Sequence, residues 1–368
     1  MRRIRARLSA AWLLAGVFAL PVPAAIAQTR ATLPGSVVEA ASIGGAERSQ
    51  IDAFVAALAP AASGAESEEA TRARKELVAP LTGTRPSVAF RQAYAQSAAS
   101  LLAGMIGSNE PGARLAGLRL AGHLGTGDTV SMIRQALTDS DAGVRLFAAV
   151  QAGRVFEVTN AAGPALTESQ AAQLIDALKA SANADSGAKH AQTVIRALGS
   201  AAQMRLRELP GTRSHALAAL SAVATDRARG IKPAELLASE ETLLLATSIA
   251  TRSVSEAGTT VSDAAAKAAA ELGGQILAIT LTRQTQNMMG SDLEADIRLL
   301  NAGESLIYFA RRRQVENARG NPNSVPQTRL AELLLAQDRG FRNELVRLIG
   351  PGSDFLRQFG LPNDRFVK

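Results

Sequence analysis

Apolar residues recur along this chain at helical spacing. Ile51, Phe54, Val55 and Leu58 fall at i, i+3, i+4 and i+7, which places them on one helix face. Residues 60–64 break that pattern, residues 66–78 read as a more charged helix, and 81–86 as a turn. Residues 87–106 predict one long helix carrying Val88, Phe90, Tyr94, Leu101, Leu102 and Met105. A helix over 112–124 follows, then a turn at Gly125-Thr126-Gly127, then a helix to Leu137 capped by Asp128. The turn Asp139-Ser140-Asp141 leads into a helix over 143–156, and 159–166 reads as an inserted loop. Thr167-Glu168-Ser169-Gln170 is a capping box before the apolar run 171–178. Pro233 suits the first turn of a helix through about 249, and 260–281 predicts another. Ser291-Asp292-Leu293-Glu294 is a second capping box, opening a helix to about Arg313. Residues 317–326 read as a linker. Residues 327–349 read as two short helices, or one kinked at Gly340. No strand-like alternation stands out, so the expected fold is all-α.

One phrase occurs twice. Ser108-Asn109-Glu110-Pro111-Gly112-Ala113-Arg114-Leu115 is echoed by Asp139-Ser140-Asp141-Ala142-Gly143-Val144-Arg145-Leu146, an offset of 31 residues (145 − 114). Self-similarity at such a period marks stacked helical units that bury their faces only against neighbours. Weaker echoes follow at Ser186-Gly187-Ala188-Lys189 and at Pro210-Gly211-Thr212-Arg213, the latter 99 residues (213 − 114) beyond the first copy.

The block from Leu137 to Ala149 resembles the HEAT repeat and its bacterial HEAT-like relatives. In that family an Asp in the inter-helix turn and a basic residue at the next helix start stand six positions apart, the spacing of Asp139 and Arg145. Ser108 and Arg114 fill the same slots one copy earlier, with the Asp replaced. The resemblance covers about residues 105–157 and extends weakly to 226. It implies an irregular α-solenoid of stacked hairpins and a macromolecule-binding role; an irregular helical bundle is the competing architecture. Physically, an acidic side chain can cap a helix start and an arginine can bridge to a neighbouring turn. Arg114, Asp139, Arg145 and Arg213 are therefore expected to serve stacking. The relatives include chromophore lyases, but no residues here carry that chemistry.

The predicted organisation is a processing segment over 1–27, a flexible lead-in over 28–48, a repeat region over 49–226, a less regular helical region over 233–349 and a tail over 350–368. Phe355, Leu356, Phe359, Leu361 and Phe366 make that tail apolar enough to dock. The processing segment has the layout of a secretory signal: Arg2, Arg3, Arg5 and Arg7, an apolar stretch over 10–20, and Ala25-Ile26-Ala27 before a cleavage after Ala27. The apolar stretch is shorter than the roughly 20 residues a membrane span needs. Export to the periplasm or the extracellular space is the expectation.

Removing the segment changes the charge argument. The chain carries 40 Lys+Arg and 33 Asp+Glu; without the four leading arginines this is 36 against 33, or +3. Bulk charge then gives no case for nucleic-acid binding, and the aromatics available for base stacking are few. With no Cys, the exported protein has no disulfides and no thiol for a lipid anchor.

Candidate chemistry is thin. His123, His190 and His215 lack a neighbouring His or Cys for a metal site, and neither metal nor cofactor is expected. Ser186-Gly187-Ala188-Lys189 matches S-x-x-K without the companion motifs of the serine acylases. Gly125-Thr126-Gly127 lacks the further glycine of a dinucleotide loop. Glu68, Glu69, Glu76, Asp292, Glu294 and Asp296 read as helix-surface acids. Arg311-Arg312-Arg313 is the densest basic run after the leader and suits a helix's last turn, or contact with an anionic envelope surface. These features predict a non-enzymatic exported scaffold that binds a protein partner in the periplasm or cell envelope, with no transmembrane span after signal removal. The alternative is an envelope-acting hydrolase or lyase with its site in the irregular C-terminal half.

Overall fold

A computed structural model describes residues 32–83, 85–185, 187–232, 235–286, 288 and 293–366. The predicted signal and its cleavage site, Ser186, Pro233, Ser291 and Asp292 lie outside the described residues. The helices are α1 (Gly35–Val38), α2 (Gly45–Ser63), α3 (Glu68–Val78), α4 (Val88–Ser97), α5 (Ala99–Ile106), α6 (Pro111–Leu124), α7 (Gly127–Ala136), α8 (Ala142–Ala162) and α9 (Glu168–Ala184). They continue as α10 (Ala188–Ala202), α11 (Thr212–Gly230), α12 (Leu236–Ser255), α13 (Asp263–Thr285), α14 (Leu293–Asn317), α15 (Leu330–Leu335), α16 (Phe341–Ile349) and α17 (Asp354–Phe359). The fold is all-α; the only β pairing among the described residues is an isolated bridge between Thr126 and Ala165.

From α6 onward the helices alternate between two rows. α6, α8, α10, α12 and α14 pack each on the next, and α7, α9, α11 and α13 do the same on the other side. Each helix also touches its chain neighbours in the opposite row. The packing runs unbroken across the predicted division at 226–233, and the chain from Leu33 onward forms one compact unit.

The interior is aliphatic, with alanine a large share of it, in keeping with the composition. Ala148, Ala149 and Ala152 on α8 and Ala197, Ala201 and Ala202 on α10 are buried. Small residues bring backbones close. A Cβ on Gly273 of α13 would stand 2.8 Å from Ile307 Cγ1 and 2.9 Å from the Gly303 carbonyl oxygen on α14. Real Cβ contacts are wider than this, so the α13–α14 approach depends on glycine there.

The tail docks. Phe355, Leu356 and Phe359 are buried with residues of α13 to α16, and Phe366 stacks on Phe355 with ring centroids 5.9 Å apart. Phe366 also fills the space a side chain on Gly274 would occupy.

Several elements differ from the sequence expectation. The long helix over 87–106 divides at Ala98, where the first half packs on α2 and the second turns onto α6. The loop expected at 159–166 is mostly helix: α8 runs to Ala162 and stops at Gly163, whose φ of 86° suits glycine. Asp128 does not cap α7; the Thr126 N–H donates to Thr129 Oγ1 at 3.0 Å instead. Pro60 lies inside α2, which ends three residues later. The lead-in holds α1, whose Val37 and Val38 are buried, and Ser87 N–H donates to the Val38 carbonyl at 2.9 Å. The expected linker at 317–326 is no boundary, since Asn317 ends α14 and donates to the Val261 carbonyl at 2.9 Å.

Candidate functional site

The doubled phrase builds a linked edge. Asp141 caps α8, its Oδ1 accepting from Gly143 N at 2.7 Å and Val144 N at 3.1 Å. Asp139, two residues earlier, closes the turn by accepting from Asp141 N at 2.8 Å. Its other oxygen is held by Arg114 from the start of α6. Arg145 sits at the same position of α8. It donates to the Asp139 and Ser140 carbonyls at 2.9 and 3.0 Å and reaches forward to Asp185 Oδ2 at 2.8 Å. Asp185 occupies the turn before α10 and accepts from Gly187 N at 2.8 Å, as Asp139 does from Asp141. Each helix-start arginine thus holds the aspartate of the next unit's turn. The Asp141 N–H and Arg114 keep the Asp139 carboxyl below its ordinary value, and Arg145 with the Gly187 N–H does so for Asp185.

Asp185 was not singled out from sequence, although its signal is present. Asp139-Ser140-Asp141-Ala142 matches Asp185-Ser186-Gly187-Ala188, each Asp standing three residues before the first residue of its helix. The starts of α6, α8, α10, α12 and α14 lie at 111, 142, 188, 236 and 293, so the spacing grows from 31 to 46, 48 and 57 residues. A search at a fixed period loses the phrase after one step.

Arg213 occupies a different place. It opens α11, in the opposite row from α6 and α8, so the 99-residue echo joins non-equivalent positions. Its guanidinium donates to the Ser253 carbonyl at 3.0 Å and Glu256 Oε2 at 2.7 Å, at the C-terminus of α12. Arg313 reaches the same end of α12 from α14, donating to the carbonyls of Val254 at 2.9 Å and Glu256 at 2.6 Å. Arg91 does the equivalent for two helices. It is fully buried and donates to the Leu124 carbonyl at 3.1 Å, at the end of α6, and to the Gly163 carbonyl beyond α8. Burial lowers its pKa to about 10.

The triple-arginine run is not a patch. α14 continues past it to Asn317, so it is not the last turn. At about 100° per residue the three side chains diverge. Arg313 is buried on α12. Arg311 is half-buried with its Nε on Gln358 at 2.8 Å, and Arg312 lies over the Tyr308 ring at 5.5 Å. With Arg313 taken up by the end of α12 and the other two directed elsewhere, the three side chains do not present one joint surface.

The motifs set aside on sequence grounds have structural places. Gly125 closes α6 with a φ of 58°, so Gly125-Thr126-Gly127 is a hairpin turn. Lys189 is exposed on α10. His215 meets Asp176 at 2.8 Å on the surface. Asp296 forms a buried pair with Arg283 at 2.9 Å, and Glu304 accepts from Leu330 N at 2.8 Å at the start of α15. The buried acids of the C-terminal half are thus tied to structural partners. Among the described residues no cluster of His, Asp and Glu could hold a metal ion.

One open cleft, of 520 Å³, lies beside the first copy of the phrase. Ile106, Leu118 and Met132 give it apolar walls, and Asn109, Gln135 and the Arg114–Asp139 pair give it polar ones. Its size falls within the range of sites that hold small ligands or peptide side chains.

Two outcomes follow. In a double-mutant cycle of Arg145→Ala and Asp185→Ala, the two losses are expected to be less than additive, with a coupling that shrinks with added salt; additive losses in urea melts would show that the two do not act together. The second concerns His123, which burial, Arg154 and Arg119 together lower from 6.5 to about 4. The folded state resists a proton that the unfolded state takes below 6.5, so this contribution is present above 6.5 and is lost as pH falls toward 4. His123→Gln should flatten that part of a Tm-versus-pH curve, and an unchanged slope would contradict the assignment. Asp139 and Asp185 act in a lower window, as pH falls below about 3.9. No protein-family model matches the chain, and no curated protein matches it.

Proposed function

We propose that this chain is an exported HEAT-like α-solenoid, acting as a non-enzymatic scaffold for a protein partner in the bacterial periplasm or cell envelope. The observation that carries the reading is the two-row succession of helices from α6 to α14, with arginine links joining consecutive turns. An array of that kind works through extended surface, because each unit contacts only its neighbours. The cleft beside Arg114 and Asp139 supports the reading, with apolar walls suited to an anchoring side chain and polar groups suited to orienting it. Export is read from the leader over 1–27, and no helix among the described residues is long and apolar enough to cross a membrane.

A photo-crosslinking side chain at Ala103 or Gln135, both exposed at the cleft, should capture one protein reproducibly in intact cells. Filling the cleft with Ala103→Arg and Gln135→Arg should cut that yield about tenfold, equivalent to about 1.4 kcal/mol, while leaving Tm unchanged. Equal yield from the filled variant would place the partner elsewhere, and diffuse crosslinking to many proteins would remove the scaffold reading. The secreted protein should begin at Gln28; an N-terminus before that residue would overturn cleavage after Ala27.

A further inference from the structure

His190 on α10 and Ser181 on α9 are both buried. His190 Nε2 lies 2.8 Å from Ser181 Oγ, and that oxygen lies 3.1 Å from the Leu137 carbonyl at the end of α7. One proton arrangement satisfies both contacts. The Nε2–H donates to Oγ, and the hydroxyl donates to the carbonyl. This reverses the polarity of a catalytic Ser–His pair, in which the hydroxyl proton points at the imidazole. It leaves Nδ1 as a bare lone pair, and Nδ1 is buried with no partner. In this neutral form His190 is a strut joining α7, α9 and α10.

The surroundings are unfavourable to a second proton. Burial acts most strongly against a charged ring; Asp185 in the α9–α10 turn acts for it, Arg145 from α8 and Arg227 from α11 act against it, and the Ser181 backbone acts for it. α12 meets α10 elsewhere, through Glu241 on Gln192 and Ile249 beside Gly199. A protonated ring would carry an Nδ1–H that needs an acceptor. The anion acting on it, Asp185, is already committed, with Oδ2 on Arg145 at 2.8 Å and Oδ1 on Gly187 N at 2.8 Å. Arg227 also holds this turn, donating to the Asp185 carbonyl at 2.9 Å.

We infer that His190 is an acid-sensitive latch: neutral, it closes the junction of α7, α9 and α10, and protonated, it competes with Arg145 for Asp185 and loosens the link between α8 and the α9–α10 turn. Burial holds the ring below its ordinary value, so the latch is closed at neutral pH. Its contribution is complete above about 6.5 and is lost as pH falls below that value. The device is local, because the competition involves one turn, and it stands independently of what the scaffold binds.

Hydrogen–deuterium exchange of the full chain tests it, with rates at pH 7.5 and 5.0 corrected for intrinsic exchange. Wild type should lose about tenfold protection over 181–195 at the lower pH, corresponding to about 1.4 kcal/mol of local opening. His190→Gln keeps a side-chain N–H for Ser181 and cannot titrate, so its protection there should fall clearly less than that of wild type over the same change of pH. Equal pH dependence in both proteins, or none in wild type, would overturn the inference. Should the variant fail to fold, a proton NMR titration of the three wild-type histidines decides, since a His190 that titrates at or above 6.5 would also overturn it.

Discussion

Guanidinium groups seated on the carbonyl ends of neighbouring helices are what the packing of this protein depends on. A helix leaves its last four carbonyls without intrahelical donors and carries partial negative charge at that end. Arg91 meets two such ends, those of α6 and α8, and no carboxylate among the described residues lies within ion-pair distance of it. Arg313 and Arg213 converge on the end of α12, and Arg74 donates to Ala62 and Gly64 carbonyls at 3.0 and 2.8 Å where α2 finishes. Each link satisfies groups that would be costly to bury alone and fixes where one helix ends relative to the next. The guanidinium suits this work because its fork spans several acceptors and it stays charged even when burial lowers its pKa to about 10, as at Arg91.

The composition explains why such links are needed. A core of Ala, Leu, Val and Ile with glycine at close approaches lets helices sit near one another but gives little side-chain interlock. Apart from Phe147 and Phe156 on α8, the aromatic residues of the described helices gather toward the two ends. Phe54, Phe90 and Tyr94 pack together in the N-terminal helices, and Phe355, Phe359 and Phe366 in the C-terminal ones. The middle, from α6 to α12, combines aliphatic packing of Leu, Ile, Val and Ala with the arginine links. There are no disulfides to replace them.

Helical periodicity, the Thr167 capping box and the docking of the apolar tail were legible in the sequence because each depends on local spacing. The role of Arg145 was legible in part, since a helix-start arginine beside an acidic turn invites a bridge, but its partner lies 40 residues ahead at Asp185. Arg91 was invisible: its acceptors are backbone carbonyls of distant helix ends, which leave no side-chain signature. The Arg311–Arg313 run misled for a related reason. Adjacent charges look like one patch in a string of letters and become three directions on a helix. The echo at Arg213 shares its letters with Arg114 and yet falls in the other row, because the units between them had lengthened.

That lengthening bears on how such a chain can change. When all units are equal, a segment can be copied or deleted and the interfaces on either side still match. Here successive helix starts are 31, 46, 48 and 57 residues apart, and each arginine is cut to the reach of one particular turn. Arg114 and Arg145 are each fitted to one joint of the packed helices, and neither link could be moved to the other's place unchanged.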